Sequence, residues 1–429
     1  MTPSLMAVAM AANLAVLHCG HAFDAPSGKL LGATTVVVEG NRIAAVEKGF
    51  ITRPGARVVD LGKHTCLPGL IDLHTHLTVE ITPAYYAQRT RLNPADHALR
   101  SAVYARRTLL AGFTTVRNLG DFTDQDSVAL KRAIEDGLIA GPRVFTAGVP
   151  IGSTGGHGDP TNGLNHMFVG DPGVQEGVIN SVEDAAKAVR LHYKAGDDVI
   201  KIMPSGGVMD EGAHGENPQL TQAEIAAVVS TAHDYGFSVA AHAHGAEAIR
   251  RAVLGGVDSI EHGTFLDATD LALMKERGTW YVPTLSAGAW VAQQAQKPGY
   301  YPPTVAAKAL QIGPQISATA GRAYLAGVKI AFGTDAGVYP HGQNGREFEL
   351  LVQAGIPADY ALQAATVHAA TVLRRERDLG SLAVGKFADV VAVEGNPLDD
   401  ITLLQRVAFV MKGGEVYLEG GVPAARILQ

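Results

Sequence analysis

The chain has 429 residues, enough for one large domain of about 250 residues together with a smaller module. Hydrophobic residues make up 47% and charged residues 18%, which supplies a large buried core and excludes global disorder. There are 35 basic and 42 acidic side chains, the formal net charge is -7 and no basic run occurs, so a nucleic-acid-binding surface is not expected.

The amino-terminal segment is apolar but has no basic stretch, and its apolar run is too short to cross a membrane. We expect a cytoplasmic protein, or a periplasmic or secreted one if a signal peptide preceded the opening Met-Thr-Pro. The two cysteines, Cys19 and Cys66, are too few for a disulfide framework, and the lack of a CxxC motif argues against thiolate zinc. Cys66 directly precedes an apolar segment, which predicts a small core residue.

Both ends of the chain predict short β-strands. The candidates are residues 14–17, 35–39, 42–46, 390–393, 407–411 and 415–418. A hairpin-type turn at Gly40-Asn41 joins the second strand to the third. Because chain termini often lie close together, we predict one small β-sandwich domain formed from residues 1–65 and 378–429.

Between these ends, residues 66–377 alternate short apolar strands with amphipathic helices, the pattern of an α/β fold with a parallel sheet. The strand candidates are 69–76, 114–118, 143–148, 199–204, 238–244, 259–262, 280–285 and 329–335. The intervening helices include 96–110, 182–194, 222–235, 246–254 and 268–277, several of which end at glycine. These units predict a (β/α)8 TIM barrel. A doubly wound sheet is the alternative, but no GxGxxG motif follows a strand.

Polar side chains stand at the carboxyl ends of several of these strands, where barrel enzymes place their active sites. His74 and His76 end the first strand and face the same side, so their imidazoles form a chelating pair for an ion such as zinc. The residues at the same position of the fifth, sixth and eighth strands are His242 with His244, His262, and Asp335. Any one of them is equally well explained as a satisfied polar strand end, but the whole set indicates a metal site.

Lys201 stands inside the apolar fourth strand, where lysine is rare. A buried ammonium group requires a partner or a lowered pKa. Two interpretations stay open. Lys201 pairs with a barrel carboxylate, or its amine is carbamylated by CO2 and becomes a carboxylate able to bridge two cations.

The order of these residues along the chain resembles the binuclear branch of the amidohydrolase superfamily. The flanking segments resemble it too, namely LPGLID at 67–72, GSL at 380–382 and GKFAD at 385–389. The segments GGHG at 155–158, SGGV at 205–208 and HAHG at 242–245 are similar to the imidazolonepropionase-like and Xaa-Pro dipeptidase (prolidase) subgroup. More narrowly, the chain is similar to bacterial amidohydrolases that cleave ochratoxin A.

This resemblance implies a hydrolase of amide bonds with two divalent metal ions, most often Zn2+. It assigns one ion to His74, His76 and Asp335, the other to His242 and His262, and the bridge to carbamylated Lys201. Asp335 would accept a proton from the attacking water and pass it to the leaving amine.

Further residues are candidates for substrate binding. His157, in a glycine-rich loop, and His244, beside His242, would bind the oxyanion or a substrate carboxylate and are also candidate catalytic residues. Val208, Met209 and Trp280 would line an apolar part of the pocket. Each has an ordinary alternative. His157 would be an incidental histidine of a flexible loop, and His244 would only form a hydrogen bond behind the metal ligands. Val208 and Met209 would pack within their loop, and Trp280 would be a core residue.

We therefore expect a carboxypeptidase- or dipeptidase-like enzyme that cleaves N-acyl amino acids, with ochratoxin A, cleaved to phenylalanine and ochratoxin alpha, as the specific candidate. The alternatives are an Xaa-Pro or other dipeptidase, an imidazolonepropionase-like cyclic amidase, and a non-catalytic metal-binding scaffold. Lys201 weighs against the cyclic amidase, and the presence of all six ligands weighs against the scaffold. The expected partner is a small molecule, not a nucleic acid or a membrane, and similar proteins imply a homo-oligomer such as an octamer.

Overall fold

The structure is a computed structural model that describes residues 14–121, 126–212 and 214–425. The predictions made for the first 13 residues lie outside this part of the chain. Within it, no helix has both the length and the apolar character needed to cross a membrane.

The regular elements alternate as the sequence predicts. The strands are β1 (Leu14–Asp24), β2 (Lys29–Leu31), β3 (Thr34–Glu39), β4 (Arg42–Lys48), β5 (Arg57–Pro68), β6 (Leu70–Thr75), β7 (Phe113–Asn118), β8 (Arg143–Thr146), β9 (Ile200–Ile202), β10 (Val239–Ala243), β11 (Ser259–His262), β12 (Trp280–Val282), β13 (Val390–Glu394), β14 (Phe409–Lys412), β15 (Glu415–Glu419) and β16 (Val422–Pro423). The helices are α1 (Tyr85–Gln88), α2 (Pro94–Leu110), α3 (Asp126–Glu135), α4 (His166–Val169), α5 (Val182–Ala195), α6 (Gln222–Asp234), α7 (Ala246–Gly255), α8 (Ala268–Arg277), α9 (Leu285–Ala295), α10 (Pro303–Ala326), α11 (Arg346–Gln353), α12 (Ala358–Gln363) and α13 (Ala369–Val372). A π-helical turn, Ala364–His368, joins the last two helices, and short 3-10 turns cover Val174–Glu176 and Ile401–Gln405.

Strands from the two chain ends form one sheet in the order β16-β15-β14-β13-β5-β1-β3-β4, with β2 beside β1. The carboxyl-terminal strands join the amino-terminal ones directly, because β13 pairs antiparallel with β5. The sheet folds over one hydrophobic core that includes Leu17, Val390 and Phe409. The edge strand β4 also contacts the segment before β13, where the Ile43 amide donates a 2.9 Å hydrogen bond to the Lys386 carbonyl. The predicted β domain is therefore present, and its boundaries at residues 65 and 378 stay a prediction.

The cysteine prediction needs correction. Cys66 is fully buried, as expected of a core residue, but it forms a disulfide with Cys19, and their Cα atoms are 5.8 Å apart. The two residues meet because β1 and β5 run parallel, with a shift in register after Cys19. A separation of 47 residues along the chain does not reveal this pairing.

The eight predicted barrel positions are occupied in order. One parallel run contains β6, β7 and β8, and a second contains β9 to β12. The bridge between Ile151 and Ile202 connects the two runs. Residues 329–336 close the ring through isolated parallel bridges, Tyr281 to Ile330 and Thr75 to Ala336, so the eighth position has no regular strand.

Each helix predicted in the barrel is present with ends within two residues of the prediction; Gly255 is the last residue of α7, and Gly256 follows it as the left-handed cap. Two further helices, α9 and α10, stand between β12 and the closing segment. They pack closely at Gly288 and Gly313, where a Cβ on Gly313 would lie 2.5 Å from the Gly288 carbonyl oxygen. This pair of helices forms one side of the cavity described next.

Candidate metal centre and active-site cavity

A cavity of about 230 Å³ opens at the carboxyl ends of the barrel strands. Ten of the predicted site residues line it, namely His74, His76, His157, Lys201, Val208, Met209, His242, His244, His262 and Asp335. The strand-end positions that the sequence singled out therefore converge on one space.

Trp280 is the exception among the predicted residues. It begins β12 and so stands at the amino end of its strand, away from the cavity. Its ring packs against His368, with centroids 5.6 Å apart, and the Lys329 ammonium lies 5.5 Å from the ring centroid. The prediction that Trp280 lines the substrate pocket is not supported, because strand polarity places it at the opposite end of the barrel.

The first group of candidate ligands centres on Asp335. Asp335 Oδ1 lies 3.1 Å from His76 Nε2 and 3.5 Å from His74 Nε2. Ligand atoms of His74, His262 and Asp335 all lie within 4.8 Å of one another. These atoms are near enough to share one metal ion.

The second group stands beside the first. The His242 ring centroid lies 4.6 Å from that of His262 and 4.7 Å from that of His244. The His74 and His262 centroids are 4.9 Å apart, so the two groups adjoin.

Several of these histidines use one ring nitrogen within the protein. Nδ1 of His74 pairs with Glu261 at 2.9 Å, and Nδ1 of His262 pairs with the Thr284 hydroxyl at 2.7 Å. Each contact leaves Nε2 as the nitrogen available to a ligand. His242 is reversed: its Nε2 lies 3.0 Å from the Gly206 carbonyl oxygen, so Nδ1 is the nitrogen left over.

Burial lowers the pKa of these imidazoles. The pKa of His74 falls to about 4, first through burial and then through the charge of Lys201. The pKa values of His242 and His262 lie well below the ordinary range, again chiefly through burial. The rings are therefore neutral at pH 7, which is the form that ligates metal ions.

Lys201 is 1% exposed, and, in addition to burial, its ammonium charge contributes to the lowered pKa values of His74, His242 and His262. Within the described part of the chain, the hydrogen-bond contact of its Nζ is with His74 Nε2, at 3.5 Å, and it forms no ion pair with a carboxylate. Burial lowers its pKa to about 8, against the opposing charges of Glu261 and Asp335. The interpretation in which Lys201 pairs with a barrel carboxylate is therefore not supported.

A buried network that the sequence analysis missed stands behind His74. Arg117 Nη2 donates a 2.8 Å hydrogen bond to Glu261 Oε1, and Ser259 Oγ donates to the same oxygen at 2.5 Å. Arg117 Nε also donates to the Leu73 carbonyl oxygen at 2.6 Å. Burial alone would raise the pKa of Glu261, but Arg117 and His74 outweigh it and lower this pKa to about 2.

Left-handed backbone conformations cluster at the same strand ends. His262, Thr284 and Asp335 have φ angles of 69°, 56° and 61° although none is glycine. Such angles are uncommon for these residue types and concentrate at functional sites. The left-handed backbone at His262 falls where two adjacent residues both contribute to the site. Glu261 contacts His74, and His262 lines the cavity.

The donor set suits a divalent transition metal. It consists of neutral imidazole nitrogens and a carboxylate oxygen, the ligands that zinc and similar ions prefer. The other cavity wall is apolar and includes Val208, Val291, Ile312, Ile316 and Val338.

Comparison with known proteins agrees with this architecture. A model of the amidohydrolase family matches residues 65–417. The chain belongs to the amidohydrolase family. This amidohydrolase is 32% identical over 377 residues to the ochratoxinase of Aspergillus niger, covering 83% of this chain and 76% of that protein.

Solved structures of related hydrolases have the same fold. A Xaa-Pro dipeptidase with methionine bound in its active site is 46% identical, with a TM-score of 0.92 over 94% of the amidohydrolase described here and 100% of that chain. A prolidase in complex with N-methylphosphonate-L-proline is 33% identical, with a TM-score of 0.84 over 95% of this chain and 100% of that one. The predicted family is confirmed, the chain is a hydrolase of amide bonds, and this family generally uses divalent metal ions.

Proposed function

We propose that the chain is a binuclear metal-dependent amide hydrolase that acts on N-acyl amino acids in the manner of a carboxypeptidase or dipeptidase. The observation that carries the proposal is the placement of Lys201, which is buried in the cavity wall, lies 3.5 Å from His74 Nε2 and forms no ion pair with a carboxylate in the described residues. If the Lys201 amine were carbamylated by CO2, it would supply a carboxylate able to bridge two cations.

In this proposal the ligands are His74, His76 and Asp335 for one ion, His242 and His262 for the other, and carbamylated Lys201 as the bridge. Two divalent ions, most often Zn2+, would polarise the amide carbonyl and lower the pKa of the attacking water. Asp335, which lines the cavity, would accept the proton of that water and deliver it to the leaving amine.

His157 and His244 would bind a substrate oxygen. Both line the cavity beside His242, with ring centroids 4.5 Å and 4.7 Å from it. His244 Nδ1 pairs with the Thr264 hydroxyl at 2.7 Å, which leaves Nε2 for a substrate. Val208 and Met209 line the same cavity and suit an apolar acyl group or side chain.

Ochratoxin A is our specific candidate substrate, with phenylalanine and ochratoxin alpha as products. The 32% identity to an ochratoxinase supports it. An Xaa-Pro dipeptidase is the second candidate, because the solved dipeptidase is 46% identical with a TM-score of 0.92.

A chromatographic screen tests the proposal. Metal-reconstituted enzyme is incubated with ochratoxin A, other N-acyl amino acids and a panel of prolyl and non-prolyl dipeptides. Release of phenylalanine from ochratoxin A supports the first candidate, and turnover of prolyl dipeptides alone transfers the assignment to the second. Hydrolysis of imidazolonepropionate instead of linear amides would point to the cyclic amidase. No turnover of any compound in the panel would point to the non-catalytic scaffold.

Two properties outside the site are also proposals. We propose a homo-oligomer such as an octamer, which light scattering after size-exclusion chromatography tests. We also propose an oxidising compartment, because a Cys19–Cys66 disulfide is rare in a reducing cytoplasm. Thiol labelling of protein purified without reductant tests the latter, and two reactive thiols per unfolded chain would contradict it.

A further inference from the structure

A second polar part of the cavity wall is formed around Asp210, which is not one of the predicted metal ligands. Asp210, in the loop after β9, lines the cavity beside His157. Its Oδ2 accepts a 2.7 Å hydrogen bond from His157 Nδ1 and a 3.0 Å bond from the Gly207 amide. The His157 ring is therefore fixed through Nδ1, and Nε2 is the nitrogen left for a substrate.

Asp210 is itself held by a lysine from the α9–α10 pair. Lys308, on α10, is 4% exposed. Its Nζ donates to Asp210 Oδ1 at 2.9 Å, to the Asp210 carbonyl at 2.8 Å and to the Gly207 carbonyl at 2.7 Å. These three acceptors match the three protons of an ammonium group, so the charge is buried with its hydrogen bonds complete.

The packing leaves His157 little room to turn. Its ring centroid is 4.5 Å from that of His242. On another side, a Cβ on Gly207 would lie 2.2 to 2.4 Å from three ring atoms of His157, so glycine is needed for this approach. Burial would raise the pKa of Asp210, but the hydrogen bond from His157 and the charges of His157 and Lys308 outweigh it and hold this pKa well below its usual range.

We propose that Asp210 and Lys308 are positioning residues that fix the His157 ring with Nε2 directed at a substrate oxygen, so that α10 sets the geometry of the active site. The proposal rests on the proposed amide hydrolysis for its kinetic readout. It assigns Asp210 and Lys308 no contact with the reacting atoms. They act through the orientation and tautomer of one imidazole, as a carboxylate does in a hydrolase triad.

A double-mutant cycle in the metal-loaded enzyme tests the proposal. His157→Ala, Asp210→Asn and the double variant are compared by kcat and KM on an amide that the wild type hydrolyses. We expect each single variant to lower kcat/KM roughly 10- to 100-fold, as a misplaced group does, and the double variant to be no worse than His157→Ala. Multiplied losses, or wild-type kinetics in Asp210→Asn, would overturn it.

Further variants separate positioning from stability. Lys308→Met should lower kcat/KM when His157 is present but cause no further loss in the His157→Ala variant. Asp210→Glu keeps the negative charge and should recover part of the rate that Asp210→Asn loses. Lys131→Met is the matched control, because Lys131 pairs with Asp198 at 2.7 Å but neither residue lines the cavity. It should leave kcat and KM unchanged. A loss of kcat/KM in Lys131→Met equal to that in Lys308→Met would refute the positioning role of Lys308.

A readout without turnover keeps this inference separate from the proposed function. Nitrogen-15 spectra of the histidine rings should show His157 protonated at Nδ1 in the wild type and altered in Asp210→Asn. An unchanged His157 signal would refute the positioning role even in an active enzyme. An inactive wild type with the expected signals would refute the proposed function alone.

Discussion

Glu261 Oε2 lies 2.9 Å from His74 Nδ1, and both side chains are almost completely buried. This contact fixes the His74 tautomer that presents Nε2 toward Asp335 and Lys201. Arg117 in turn holds Glu261, so the geometry of a candidate ligand depends on a charge pair inside the barrel.

Replacing Glu261 should act mainly on metal affinity. In Glu261→Gln the acceptor for His74 Nδ1 is weaker, and we expect metal affinity to fall roughly 10- to 100-fold. Competition with a chromogenic chelator measures it. Asp389→Asn is the matched control, because Asp389 is equally paired with an arginine, Arg143, at 2.8 Å but has no contact with a candidate ligand. Equal losses in both variants would assign the effect to general destabilisation.

Lys201→Ala removes the proposed bridge. We expect loss of metal and of amide hydrolysis, with partial recovery when short-chain carboxylic acids supply the missing carboxylate. Metal analysis and rates with and without added acid measure both effects. Full metal occupancy in the variant would contradict the bridging role.

Asp335→Asn keeps the size of the side chain but removes the proton acceptor. General acid–base groups contribute roughly 10²- to 10⁴-fold to a rate, and we expect at least that loss in kcat. His74→Ala should likewise abolish hydrolysis. Circular dichroism checks that both variants remain folded, and retained turnover in either one would remove that residue from the mechanism.

The buried neutral rings should make the metal-free protein sensitive to acid. Burial lowers the pKa of His244 from 6.5 to about 3, with a smaller effect from His157. Because the folded-state pKa is the lower one, the unfolded chain takes up the proton first, and stability is lost as pH falls from about 6.5 toward 3.

Denaturant unfolding of wild type and His244→Gln at several pH values isolates this contribution. The raised pKa values of Asp121 and Glu347 act in the opposite direction but are common to both proteins. As the pH falls, the free energy of unfolding of the wild type should decrease by up to about 1.4 kcal/mol more per pH unit than that of the variant. Parallel pH profiles would mean that His244 is not held neutral.

The positions at the strand ends could be predicted from the sequence, because strand polarity and the two-residue alternation are local properties. That logic placed His74, His76, His242 and Asp335 at one cavity. Applied to Trp280, the first residue of β12, it would also have located that side chain at the opposite end of the barrel.

The supporting contacts could not be predicted, because they exist only after the barrel closes. Glu261 reaches His74 across 187 positions of the chain, and Lys308 reaches Asp210 across 98. The disulfide depends in the same way on how β1 and β5 align. A lysine within the long helix α10 carries no local mark of its role at the cavity.

Metal content tests the central claim most directly. The protein is reconstituted with Zn2+, freed of loose ions by gel filtration, and analysed by plasma mass spectrometry against protein concentration. We expect about two ions per chain, with the hydrolytic rate rising as the second ion is bound. A fully active protein that retains one ion or none would contradict a binuclear centre.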